Sequence, residues 1–216
     1  MTSLSEQPWR KELVSPETAL KAVQPGMTIF VGTGPAEPRT LVKKLMSTEA
    51  GNLQDLELIQ LVSFGEAISV QELRTQKYRL KTFFSGWVAW EAVTEGRVDL
   101  IPSRFSRIPD LIRSGRLGIE AAFVQVSPPD ASGYCSLGLA VDVAREAMSQ
   151  SGLVVAEINE QVPRTYGDTF VHLSEFDHLV LAAEAPITLE RWPLEAVYDQ
   201  VAQNVASVIE DGSCLA

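Results

Sequence analysis

The chain has few of the residues that build metal centres and disulfide scaffolds: two cysteines, Cys135 and Cys214, and two histidines, His172 and His178, in 216 residues. Two cysteines make no disulfide framework in a chain of this length, and neither has a metal-ligand spacing. No metal is therefore expected, and a reducing, cytoplasmic setting is the simplest reading. Basic charge is also scarce. Eighteen Lys and Arg stand against 28 Asp and Glu, a net charge of −10, so no nucleic-acid partner is expected. No stretch approaches the roughly 20 apolar residues that span a bilayer, and the opening MTSLSEQPWRKEL has no apolar signal core, so no membrane partner is expected either. The Gly-x-Ser-x-Gly elbow of serine hydrolases, the Gly-Lys-Ser/Thr of a Walker loop and the third glycine of a dinucleotide fingerprint are all missing.

What remains is globular in composition, 45% apolar and 21% charged. The length suits one large domain, or one domain and the start of another. Short apolar runs at 27–31, 56–62, 80–84, 98–101, 119–126, 153–158 and 178–182 read as strands, and 133–139 as a further strand or turn. Amphipathic stretches alternate with them. One helix starts at Ser15-Pro16 and runs to about Val23, stopped by Gln24-Pro25-Gly26. Another follows Pro38 with Leu41, Val42 and Leu45 on one face, and another follows Gly86 with Trp87, Trp90 and Val93. Further helices are expected at 108–113 and 141–149. Wholly apolar strands alternating with helices specify an α/β fold, three-layer α/β/α, with a mostly parallel sheet covered on both faces.

Residues 193–210 form the longest helix candidate, with Leu194, Val197, Val201, Val205 and Val208 on one stripe. Glu210-Asp211-Gly212 then leads into Ser213-Cys214-Leu215, as Gln24-Pro25-Gly26 leads into the first strand. This reads either as the start of a second, similar domain or as a frayed helix tail.

Three loops stand out. Gly32-Thr33-Gly34-Pro35-Ala36-Glu37-Pro38 lies between a strand and a helix, where glycines admit close approach and amides favour anions or developing oxyanions. A tight turn with no ligand fits as well. Ser127-Pro128-Pro129-Asp130-Ala131-Ser132-Gly133-Tyr134 leaves the carboxyl end of a strong strand, where ligands of parallel sheets gather. Its structural alternative is a stiff turn with Tyr134 covering the core. The third loop, 159–168, carries Asn159 and Arg164. Arg164 is either a phosphate or carboxylate partner or a solvated structural residue. Glu37, Glu66 and Glu157 sit near strand ends and are carboxylate nucleophile candidates in principle, against the commoner surface or capping role. Neither histidine has a serine or cysteine partner in sequence. Arg104, Arg107, Arg113 and Arg116 read as a solvated face, with phosphate binding the minority view.

Taken in order, VGTGPAEP at 31–38, IPSRFSRIPDLIRSGRLGIEAAFVQVSPPDASGYCSLG at 101–138 and VPRTYGDTFVH at 162–172 resemble the acetyl-CoA hydrolase and transferase family, which includes 4-hydroxybutyrate and butyryl-CoA:acetate CoA-transferases. The resemblance covers essentially the whole chain. It implies residues 1–190 as an N-terminal CoA-transferase-like domain and 191–216 as a linker helix and the start of a second domain. It implies acyl-CoA and a small carboxylate as substrates, with coenzyme A moved through a glutamyl-CoA intermediate and no metal. The reacting glutamate would belong to the second domain, beyond position 216, so this stretch alone is expected to be inactive and to hold no catalytic residue. Gly32, Thr33, Gly34 and Pro35 match the family's first loop, Ser127, Pro128, Gly133 and Tyr134 its central loop, and Asn159 and Arg164 its third. These are the candidate substrate- and CoA-binding positions. Thr33, Pro35 and Tyr166 depart from residues frequent in the family, so the acyl group is left open. A homodimer is also implied. Two other readings stand beside this one: a non-catalytic acyl-CoA- or carboxylate-binding or regulatory module, and the non-catalytic subunit of a two-subunit transferase.

Overall fold

A computed structural model describes residues 7–62, 68, 78–84, 86–188, 193 and 195–214, with backbone alone for 86–89. Strands β1 (Thr28–Val31), β2 (Leu56–Gln60), β3 (Tyr78–Thr82), β4 (Val98–Leu100), β5 (Ala121–Val126), β7 (Leu153–Ile158) and β9 (His178–Leu181) form a seven-stranded sheet. Its order is β4-β3-β2-β1-β5-β7-β9, and every neighbouring pair is parallel. Short strands β6 (Tyr134–Ser136) and β8 (Phe170–His172) pair antiparallel in a small separate sheet. The stretch 133–139 thus resolves into β6. Strand β8 was not legible, because its three residues carry too little periodicity to read.

Side-chain alternation builds a core on each face of the main sheet. Ile29, Val31, Leu58, Phe123 and Val155 pack on one face with α1 (Pro16–Leu20), α2 (Arg39–Ser47) and α3 (Gly86–Thr94). Phe30, Ile59, Val124, Ala156 and Ile158 pack on the other with α4 (Ile108–Arg113) and α5 (Ala144–Gln150). Both faces are covered, which is why β5 and β7 are buried at every position. Helix α1 begins as expected: Ser15 caps it by accepting from Thr18 N at 3.2 Å, and Pro16 supplies the first turn. Trp90, carried by α3 as expected, is 66% exposed.

Helix α6 (Ala196–Ser207) lies within the expected 193–210, but no residue of it is buried. Val197, Tyr198, Val201 and Val205 are each about half exposed. Leu194 and Leu215 lie outside the described residues.

Candidate functional site at the sheet's switch point

From β1 the chain winds outward through β2, β3 and β4, then returns to the other side of β1 as β5, β7 and β9. Adjacent strands β1 and β5 therefore lead away in opposite directions. In open parallel sheets the gap outside the carboxyl ends of such a pair is where ligands bind. Loop 32–38 follows β1, loop 127–133 follows β5, and Asn159 follows β7, so the fold brings the three sequence-predicted loops to one edge.

Loop 32–38 is held by a buried polar brace. Gln60, Gln125 and Glu157 end or nearly end their strands, and alternation puts all three on the face that carries α2. Gln60 Nε2 donates to Gly32 O at 3.0 Å and to Glu37 Oε2 at 2.8 Å. Gln125 Nε2 donates to Pro35 O at 3.1 Å, and its Oε1 accepts from Asn159 Nδ2 at 2.7 Å. Glu157 receives the first amides of α2, Leu41 N at 2.8 Å and Thr40 N at 3.3 Å. Glycine is required at position 32, because a Cβ there would sit 2.5 Å from Ala36 O.

Burial pushes the Glu157 carboxyl up to about 7. The Leu41 and Thr40 amides oppose the rise and nearby Glu184 adds to it. Glu184 is itself held by Arg39 and Lys43 of α2. Neither candidate nucleophile of the described residues faces the crevice: Glu37 is 1% exposed and bonded to Gln60, and Glu157 is wholly buried under α2. Glu66 lies outside the described residues.

The amides of loop 32–38 are mostly spent. Gly32 N bonds Phe123 O at 2.9 Å and Gly34 N bonds Val62 O at 3.1 Å. Ala36 N and Glu37 N close turns onto Thr33 O and Gly34 O, and Pro35 has no N–H. Among the described residues Thr33 N alone of the four matched positions is an amide with no protein acceptor. Thr33 Oγ1 and Asp142 Oδ2 are both buried without a partner of ordinary geometry among the described residues. The Asp142 carboxyl is raised by burial, an effect that the facing Thr33 side chain and the Val143 and Ala144 amides oppose. Its backbone is left-handed, φ 32°, which is uncommon outside glycine. Asp142 and the two glutamines were missed in sequence. The glutamines did leave a signal, a polar residue near the end of an apolar run in LELIQLV and AAFVQV.

Loop 127–134 is organised differently. Asp130 Oδ1 accepts from Ser132 N at 2.9 Å and Tyr134 N at 3.0 Å, and Gly133 has φ 84°. The Tyr134 amide, with Ser132 N and Arg164, holds the Asp130 carboxyl below the usual range. Arg164 donates to Asp130 Oδ2 at 2.7 Å and Tyr134 O at 2.8 Å, and lies 4.5 Å over the Phe170 ring. Ser127 is buried, its Oγ donating to Pro128 O at 3.2 Å and accepting from Ser136 N at 2.9 Å. Tyr134 is 44% exposed and packs edge-on against His172 at 5.0 Å. His172 Nδ1 lies 2.8 Å from Ser174 Oγ. Among the arginines, Arg113 pairs with Asp110 and Glu146, and Arg107 with Asp110. Burial drives the Cys135 thiol up to about 12, so it carries no thiolate chemistry at neutral pH. Among the described residues no group of His, Cys, Asp and Glu is placed to hold a metal, and no helix is long and apolar enough to cross a membrane.

Fold and crevice define a doubly wound parallel α/β domain with its ligand edge at the β1–β5 switch point. Residues 2–190 match the acetyl-CoA hydrolase/transferase N-terminal domain, and the chain belongs to that family. The 4-hydroxybutyrate coenzyme A transferase of Clostridium kluyveri is 33% identical over 210 residues, which are 97% of this chain and 49% of the relative. The succinyl-CoA:acetate/propanoyl-CoA:succinate CoA transferase of Fasciola hepatica is 32% identical over 192 residues, 88% of this chain and 40% of the relative. RipA from Yersinia pestis shares the fold, with a TM-score of 0.82 at 23% identity over 95% of this chain and 49% of that one. The chain spans about half the length of the curated relatives it matches.

Proposed function

We propose that this chain forms one wall of a CoA-transferase active site that moves coenzyme A between an acyl thioester and a small carboxylate. The observation that carries the reading is the convergence of the three family-matched loops at the switch point, with the Thr33 amide left without an acceptor among the described residues. In this reading a glutamate of a second domain attacks the thioester carbonyl and expels the CoA thiolate, giving an acyl-glutamyl anhydride. The thiolate attacks the glutamyl carbonyl, releasing the acyl group as carboxylate and leaving glutamyl-CoA. An acceptor carboxylate reverses both steps. Each addition places negative charge on a carbonyl oxygen, and an amide fixed in advance stabilises that charge. Thr33 N–H is the donor we assign to this task. Asp142 faces the same residue.

The burial of Glu37 and Glu157 supports a nucleophile from elsewhere. The exposed α6 supports 191–216 as a linker to the second domain, and a homodimer is part of the same proposal. The test is exchange of acetyl-CoA with labelled acetate, catalysed by residues 1–216 alone and by the same chain with Glu37, Glu66 or Glu157 changed to Gln. No turnover is expected. Turnover abolished by one of these substitutions would make that residue the nucleophile and overturn the reading.

A further inference from the structure

Gly32 C=O and Thr33 N–H belong to one peptide unit, and no cis peptide occurs among the described residues. A trans peptide is planar, so its carbonyl and its N–H point in opposite directions. Whatever holds Gly32 O therefore aims Thr33 N–H. The group that holds it is Gln60 Nε2, at 3.0 Å. The same nitrogen reaches Glu37 Oε2 at 2.8 Å. Two acceptors on one side fix which end of the amide faces the loop, because the carbonyl end cannot donate. Gln60 is fully buried, its strand is fixed between β1 and β3, and it projects to the α2 face. The Gly32 carbonyl is drawn to that face. The Thr33 N–H is thereby turned away from that face, and the Thr33 side chain meets Asp142.

We propose that Gln60 is a positioning residue: by gripping the Gly32 carbonyl it aims the Thr33 amide into the β1–β5 crevice as a ready-made donor for a carboxylate or thioester oxygen. This rests on the CoA-transfer reading for the identity of the ligand, but not for the geometry. Gln60 touches no substrate and acts only through the Gly32–Thr33 peptide. Gln125, holding Pro35 O, keeps the far end of the loop in place while Gln60 sets this one plane.

The experiment compares 15N-labelled residues 1–216 with Gln60→Leu. Residual dipolar couplings report the direction of each N–H. Thr33 is expected to reorient, while Gly32 and Gly34, held by Phe123 O and Val62 O, keep their directions. Titration with acetate and with acetyl-CoA then follows the Thr33 amide shift, whose apparent affinity is expected to fall about tenfold in the variant, the scale of one lost hydrogen bond to an anion. An unchanged Thr33 vector would overturn the proposal, as would an acetate response equal in both proteins. If the vector turns but neither ligand moves Thr33 even in the wild type, Gln60 still aims the amide and the CoA-transfer reading fails. Should Gln60→Leu not fold, Gln60→Met keeps the length without the donor and is read in the same way.

Discussion

Loop 32–38 and loop 127–134 leave adjacent strands of one sheet, yet they are fixed by different physics. The first is held from within, by buried amides and a carboxyl that water does not reach. The second is held from outside, by Asp130 and Arg164, whose side chains are 38% and 31% exposed. A hydrogen bond in a dry interior is strong, and its loss leaves a buried group without a partner. An exposed ion pair contributes little and weakens with salt. The two carboxyls diverge accordingly. Glu157 is pushed up to about 7 by burial, whereas Asp130 is drawn down by the Tyr134 amide. One edge of the crevice is thus rigid and pH-sensitive near neutrality, and the other stays charged throughout the neutral range.

The contrast breaks most sharply at Gly32. In Gly32→Ala the new Cβ meets Ala36 O at 2.5 Å, a backbone atom that cannot swing aside. We expect a loss of about 3 kcal/mol, the upper range for overpacking, measured by urea unfolding. A loss below about 0.5 kcal/mol would show that the inner loop yields, and the proposed rigidity would be wrong.

Glu157→Gln tests the pH difference. Its folded pKa of about 7 lies above the ordinary 4.5. The native state therefore takes up a proton as pH falls through 7, before the unfolded chain does. Stability from this group rises as pH falls from 7 to about 4.5 and is flat outside that window. The wild type should gain on the order of 3 kcal/mol across the window relative to the variant, in urea midpoints at a series of pH values. Parallel pH curves would remove the buried-carboxyl account.

How far these features were legible follows from where each signal lies along the chain. The β5 and β7 cores were plain, because a strand buried on both faces must be apolar at nearly every position, and AAFVQV and LVVAEI are. The single polar interruptions in those runs, Gln125 and Glu157, mark the brace, and so does Gln60 in LELIQLV. Their partners could not be read. Gln60 reaches 28 residues back to Gly32, and Glu157 reaches 116 residues back to Leu41, so only the parallel crossovers bring them together. The first loop was legible as a motif, but which of its amides stays free depends on Phe123 O and Val62 O. Asp142 gave no warning, since its strained backbone has no sequence signature.

Gly133 probes the outer loop more gently. It has φ 84°, and a Cβ would lie 2.8 Å from His172 Nε2, the far end of a movable side chain. Gly133→Ala should cost about 2 kcal/mol, part from the left-handed backbone and part from the imidazole. Adding His172→Ala should recover the second part, so the pair will be non-additive by about 1 kcal/mol. Strict additivity in the double-mutant cycle would mean that His172 does not pack there.

Arg164→Met gives the smallest effect and the clearest view of the outer brace. Methionine keeps apolar contact with Phe170 but removes the bonds to Asp130 Oδ2 and Tyr134 O. Asp130 still accepts from Ser132 N and Tyr134 N, so the turn survives. The loss should be about 1 kcal/mol, as for a partly exposed pair with one added bond to a carbonyl. Half of that should vanish between low salt and about 0.5 M salt, because the pair is within reach of screening ions. The Glu157 difference, buried beneath α2, should not change over the same range. Equal salt dependence at both sites would mean that water reaches the inner brace as well, and the division between a dry and a wet edge of the crevice would have to be abandoned.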